Sequence, residues 1–454
     1  MEALDRRGFI RYGLGSIATF IVGSEIPWIF ENEAHASVKD FDFTFTDANK
    51  DMVVSTPAVP ATCYFWCFKD AKALLPSIPG PLIVAELGDT ITIKLTNALD
   101  EPHAFFIPGA GTRTVVNSGP IPPGGTKTIT FMAPTSGTYL YFDNLNPPVN
   151  RVMGLHGALI VMGRSPARGG NFTPYSSPTT NVRKLFNDLG SAPHFPGLSW
   201  GQGDLPNGTA PFRQWVWLLH QADPFLFAEV EALPPGVLFD PGKFVEFFLP
   251  RFFTITGESS FFVHEDQTIS PHQRVGEPGV VRTLNAGLHT HSLHIHANHM
   301  YVLASDKVVQ QNLEWVDTFT VHPLDTVDLL LPFTRPSEVP HDAAGEPLTT
   351  LNGGKTWPPE EELNVFFETL DGRTVRQSPL EYPMHDHQEY SNTANGGNYS
   401  HGMLAGIIFT GDRTLAGGIV DFPGEFDVTP FPNSFRQLIG SGEKRKEKRR
   451  WQLL

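Results

Sequence analysis

Thr90-Ile91-Thr92-Ile93-Lys94-Leu95-Thr96 alternates polar and apolar side chains at every step. A β-strand points residues i and i+2 to one face, so this period buries Ile91, Ile93 and Leu95 and leaves the rest outside. Gly88-Asp89 supplies a turn just before it. The signature recurs in both directions along the chain. Phe41 to Thr46 has strict period two, and Thr126 to Phe131 alternates after the turn Pro122-Pro123-Gly124-Gly125. Gly137 to Phe142 and Gly157 to Met162 close this first series. A second series opens at Arg213 to Leu219, passes through Phe252 to Gly257, Gly279 to Asn285 and Asp325 to Leu331, and ends at Leu404 to Thr410. Short β-branched and aromatic runs with turn signals between them predict an all-β chain of two Greek-key sandwich or barrel domains.

Composition agrees with that reading. The 454 residues are 40% hydrophobic and include 35 Phe, enough for more than one core. The 42 Gly and 40 Pro sit between strands rather than in repeats, so they read as turns and not as disorder. A formal charge of -15 excludes general nucleic-acid binding. The basic run Lys444 to Arg450 reads as a solvated tail. We divide the chain into a leader (1–36), a first β domain (37–165), a Gly/Pro/Ser/Asn-rich linker (166–212), a second β domain (213–412) and an extension (413–454).

The leader carries Arg6-Arg7, an apolar stretch from about Tyr12 to Phe30, and Ala34-His35-Ala36. This pattern resembles a twin-arginine signal peptide cleaved after Ala36, and it predicts a periplasmic or extracytoplasmic protein. Gly13, Gly15, Gly23, Glu25 and Pro27 interrupt the apolar stretch, so no stable membrane span is expected. The two cysteines, Cys63 and Cys67, are too far apart along a regular strand to bond. They read as buried apolar side chains, with a bulge-assisted disulfide or a soft copper site as alternatives.

His289-Thr290-His291-Ser292-Leu293-His294-Ile295-His296-Ala297-Asn298-His299 places five of the 17 histidines in 11 residues. Downstream come His385-Asp386-His387 and His401-Gly402-Met403. Imidazole is the commonest ligand for copper and zinc, and alternation sets His294 with His296, and His385 with His387, on shared faces. We take His291, His294, His296, His385, His387 and His401 as candidate metal ligands, with His103, Asp386 and Met403 as weaker ones. Met403 also reads as a core residue opening the last strand. His289 and His299 read as groups that orient ligand rings. His156, His220, His264 and His272 read as structural or exposed.

These segments together resemble the multicopper oxidase family. Pro79-Gly80-Pro81, Gly88-Asp89, Thr96-Asn97, Pro122 to Gly125 and Gly137-Thr138-Tyr139 are similar to its N-terminal cupredoxin domain. Leu284-Asn285-Ala286-Gly287 and Gly402-Met403 are similar to its C-terminal one. The resemblance covers roughly residues 40–162 and 213–412, and its layout of two cupredoxin-like domains also resembles two-domain laccases and copper nitrite reductases. His291-Ser292-Leu293-His294-Ile295-His296 matches the family's His-x-x-His-x-His segment. That segment gives one ligand to the blue type 1 copper and two to the type 2 and type 3 coppers.

The departures are as informative. The family's His-Cys-His segment reads His385-Asp386-His387 here, so the type 1 thiolate is gone. Its His-Trp-His-Gly segment falls at His103-Ala104-Phe105-Phe106 and its Tyr-His-Ser-His segment at Tyr141-Phe142-Asp143-Asn144. Eight histidines make the family's trinuclear cluster, and this alignment supplies His103, His294, His296, His385 and His387. The resemblance implies an exported copper-binding protein, copper ahead of zinc, with an altered non-blue site. It would act as an oxidoreductase on a small-molecule or metal-ion reductant, with oxygen as a further partner. The alternatives are a non-catalytic cupredoxin scaffold and a copper-sequestering protein.

Overall fold

A computed structural model describes residues 37–53, 60–163, 173–191, 213–259, 263, 266, 269–336, 350–351, 355–356, 380–395, 398–399, 401–413, 419–421 and 438–440. The leader, His264 and the basic tail lie outside the described residues, as does most of the inferred linker. The rest forms two β-sandwiches. In the first, Pro60–Asp70, Val38–Val53, Thr90–Asn97 and Thr126–Met132 make one sheet in that spatial order. Ile83–Glu86, His156–Met162, Gly137–Phe142, Phe106–Pro108 and Thr114–Asn117 make the other. Thr90–Asn97 alternates as expected, with Ile91, Ile93 and Leu95 fully buried.

Gly137–Phe142 and His156–Met162 are buried along their whole length, because both of their faces are covered. Phe43, Phe68, Phe105 and Tyr141 fill the inner side of the first sandwich. Leu140, Ile160 and Met162 point the other way and meet the second domain. Gly157 belongs to that strand because a Cβ there would lie 2.2 Å from the Tyr141 hydroxyl. That hydroxyl donates to the Pro81 carbonyl at 2.6 Å.

The second sandwich pairs Phe252–Ile255, Arg213–Ala222, Gly279–Asn285, Thr326–Leu331 and Met300–Ser305 in one sheet. His272–Arg274, Leu404–Arg413, Leu380–Asp386, His291–Ile295 and Thr318–Val321 form the second sheet. Period two sorts its side chains cleanly. Trp217, Leu219, Val281 and Leu329 face inward against Leu293, Ile295, Met384 and Ile407 of the second sheet. Val216, Leu218, Val280 and Leu330 face the first domain. The first sheet of this sandwich is thus the shared wall between domains, and the second sheet lies on the far side.

Polar groups also cross the wall. Arg282 and Asp328, both essentially unexposed, pair at 2.6 Å, and Thr138 and Tyr175 donate to the same carboxylate at 2.5 and 2.8 Å. The rings of His156 and His220 lie 4.5 Å apart across the junction. His156 Nδ1 donates to the Arg151 carbonyl and His220 Nε2 to the Val152 carbonyl. The Arg151 guanidinium donates to the Ala286 and Gly287 carbonyls.

Besides the single turns Val149–Val152 and Glu389–Asn392, three longer helices among the described residues modify the all-β expectation. Within the inferred linker, Thr180–Ser191 is helical and buries Val182, Phe186 and Leu189 at the junction. Pro224–Glu231 and Pro241–Phe247 sit between strands of the shared wall. Each of these two has an Asp N-cap, Asp223 or Asp240, followed by proline, a start signal the strand periodicity had masked. Cys63 and Cys67 are free thiols in the first core, on one strand, and burial pushes both pKa values up. No helix among the described residues is long and apolar enough to cross a membrane.

Candidate metal centre

Leu293 and Ile295 are drawn into the second core, so their strand turns His294 and His296 outward. The neighbouring strand pairs antiparallel with it, His385 opposite His294 and Asp386 opposite Leu293. His385 and His387 therefore share the outward face. Ring centroids are 4.8 Å apart for His294 with His296 and for His294 with His387, and 5.2 Å for His294 with His385. The ligand atoms of His294, His296 and His385 all lie within 4.8 Å of one another.

His296 Nε2 and His385 Nε2 are 3.2 Å apart. Two imidazole nitrogens at ~2.0–2.1 Å from one tetrahedral ion stand about 3.3 Å apart, so this pair already has the spacing of two ligands on one ion. Burial and then the neighbouring imidazoles lower the pKa values of His294 and His296, which favours the neutral, ligating form. His387 is exposed beside the cluster. The donor set fits one borderline ion such as copper or zinc.

The same alternation sends His291 and Asp386 inward, away from that face. His291 Nδ1 donates to Asp386 Oδ2 at 2.5 Å, and both side chains are fully buried. Gln221 Nε2 donates to His291 Nε2, and the Gln221 oxygen is held by the Leu288 and His289 amides. Ser391 Oγ donates to Asp386 Oδ2 at 2.6 Å, and the Ser292 and Gln388 amides donate to Oδ1. Both ring nitrogens of His291 are thereby occupied by protein partners. Burial raises the Asp386 pKa, but the hydrogen bonds from His291, Ser391 and the Gln388 amide outweigh it and hold the carboxyl low.

The first domain has its own version of this pair. His103 Nδ1 donates to Asp143 Oδ2 at 2.6 Å, and Asn150 Nδ2 donates to the same oxygen at 2.8 Å. His103 is wholly buried between Phe45 and Trp66. Burial lowers its pKa, but hydrogen bonds to Asp143 and Glu101 prevail and the net shift is upward. Asp143 directly follows Gly137–Phe142 and Asp386 ends Leu380–Asp386, and in each case a short helical turn, Val149–Val152 or Glu389–Asn392, comes next.

Among the expected ligands, then, the structure brings together His294, His296 and His385, with His387 adjacent. His291 and Asp386 form a separate buried network, and His103 lies in the other domain. Met403 is a fully buried core residue, and His401 is half-buried outside the convergent group. His289 lies against Phe248 and Tyr390, and His299 stacks on Trp315 at 5.3 Å. Sequence reasoning missed Gln221, Ser391, Asn150 and Asp317. Asp317 Oδ2 stands 3.6 Å from His294 Nε2. None carries a local pattern, since each reaches its partner only through tertiary folding.

The pair of β-sandwiches has a cupredoxin-like fold. Solved structures agree at the level of the fold. The blue copper oxidase from Nitrosomonas europaea superposes with a TM-score of 0.51 at 18% identity, covering 82% of this chain and 86% of that one. The multicopper oxidase mgLAC gives 0.51 at 17%, with the same coverage. The family model described as multicopper oxidase matches residues 70–166. Copper resistance protein A of Escherichia coli is 27% identical over 169 residues, 36% of this chain and 26% of that protein. L-ascorbate oxidase of Cucumis sativus is 35% identical over 92 residues, 18% of this chain and 15% of that one. The aligned part spans about a quarter or less of these relatives. Residues 70–166 are thus similar to the multicopper oxidase family, and the cofactor which that family implies is copper.

Proposed function

We propose that the chain is an exported copper protein of oxidoreductase type, with a non-blue ion held by His294, His296 and His385. The observation that carries this reading is the 3.2 Å separation of His296 Nε2 and His385 Nε2, with the third imidazole in reach. When bound, copper supplies single-electron exchange. The three rings offer neutral nitrogen donors from two paired strands, so their spacing is set by the sheet ladder rather than by a loop. His387 borders the solvent side, where a small reductant or oxygen approaches. Asp386 stands where the family has its thiolate, so no sulfur donor is available and no intense blue colour is expected. The twin-arginine pattern at Arg6-Arg7 supports export.

Copper sequestration or a non-catalytic scaffold is the second reading. It is favoured by the closed network at His291–Asp386, in which protein groups alone occupy both ring nitrogens of His291. Elemental analysis and electron paramagnetic resonance on the copper-reconstituted protein test the proposal. We expect one copper per chain with a non-blue spectrum, lost in the His296→Ala/His385→Ala variant with the β-sheet circular dichroism unchanged. Stoichiometric copper in that double variant would remove the assignment. Copper bound without turnover of phenols, metal ions or nitrite would select the sequestering reading.

A further inference from the structure

Asp317 is placed beside the imidazole cluster by the backbone. The Ile295 amide donates to the Asp317 carbonyl at 2.9 Å, and the next residue, Thr318, is registered opposite His294. The Asp317 carboxylate consequently sits 3.6 Å from His294 Nε2, with its side chain about half exposed. Among the described residues, it is the carboxylate whose charge acts on both His294 and His296, opposing the effects of burial and of the neighbouring rings. Asp386, by contrast, is turned to the inner face and holds four hydrogen bonds there.

We propose that Asp317 is a charge-matching residue that biases the site toward divalent over monovalent ions. The proposal rests on the metal reading of His294, His296 and His385. Its physical basis is simple. Three neutral imidazoles bring no charge to the site, so they do not by themselves match an ion's charge. A fixed anion at short range attracts an ion in proportion to the ion's charge, so a divalent ion gains twice what a monovalent one does.

The test titrates cupric, zinc and, anaerobically, cuprous ions against a competing chelator, using the full chain and its Asp317→Asn variant. We expect cupric and zinc affinity to fall ~10–100-fold, the order of a lost unit charge acting on a divalent ion at short range near the surface. Because the attraction scales with charge, cuprous affinity should fall only about 3–10-fold. The copper reduction potential should rise in step with the changed ratio, and Asp317→Glu should restore most of the divalent affinity. High salt should narrow the gap between wild type and Asp317→Asn, since a half-exposed charge is screened. Unchanged affinities, or equal losses for both charge states, would overturn the proposal while leaving the metal site standing. A wild-type chain that binds none of the three ions would overturn both. Folding is not at issue, because Asp317 is a half-exposed surface side chain.

Discussion

Asp386→Ala should lower the melting temperature by on the order of 10 °C. The carboxylate accepts from the His291 ring, the Ser391 hydroxyl and the Ser292 and Gln388 amides, in a site with no solvent exposure. Alanine leaves these donors facing a small void. A hydrogen bond to a charged acceptor contributes about 1.5–3 kcal/mol, and stranded donors carry a desolvation penalty of about 1–3 kcal/mol each when water cannot reach them. Asp386→Asn keeps the volume but turns an acceptor oxygen into a donor, so it should recover little. Because Asp386 lies between His385 and His387, copper affinity should drop in both variants. Thermal unfolding followed by circular dichroism, with and without copper, measures both effects. A melting temperature within about 2 °C of wild type would mean that the network is dispensable.

Acid should weaken the domain junction, through His156 and His220. Burial comes first among the causes of both depressed pKa values, and the nearby Arg151 adds to it. His220 lowers His156 further. His220 is lowered from 6.5 to about 4, and His156 is shifted well below its ordinary range. The sign follows from proton uptake. Below pH ~6.5 the unfolded chain binds a proton that the folded junction refuses, so the stability present above that value is lost as pH falls toward the folded pKa. For His220 alone the loss is roughly 2 kcal/mol by pH ~5, and His156 adds to it. His103 works in the opposite sense, because its raised pKa stabilises the fold at low pH and that contribution fades as pH rises through it. Urea unfolding between pH ~7.5 and ~5 should show a fall in stability that is clearly smaller in His220→Gln. An equal fall in the variant would exclude this residue as the source.

Much of the fold was legible because period two is a local property. Ile91, Ile93 and Leu95, or Leu293 and Ile295, announce their inward face without any partner being known. The pairing of His294 and His296 with His385 was legible for the same reason, since both segments alternate. What the alternation also implied is that His291 and Asp386 must face away from the other four histidines. His291 and Asp386, read from the sequence as serving a neighbouring site, do stand apart from the four, and protein groups occupy both. Gln221 lies 70 residues from His291 in sequence, so no spacing rule could have found it. The helices after Asp223 and Asp240 were written in their Asp-Pro starts, but the apolar aromatic runs around them read more readily as strands. Thr180–Ser191 is helical where the composition suggested only a linker, because three apolar side chains at helical spacing find the junction core.

The shared wall between the domains separates two sets of demands on the sequence. Val216, Leu218, Val280 and Leu330 answer to the first domain, and His294, His296 and His385 look out from the opposite sheet. A substitution on one side reaches the other only through the packed interior between them. The docking of the domains and the chemistry of the outer face can therefore drift at different rates. A lineage can rewrite its reactive surface while its architecture stays fixed.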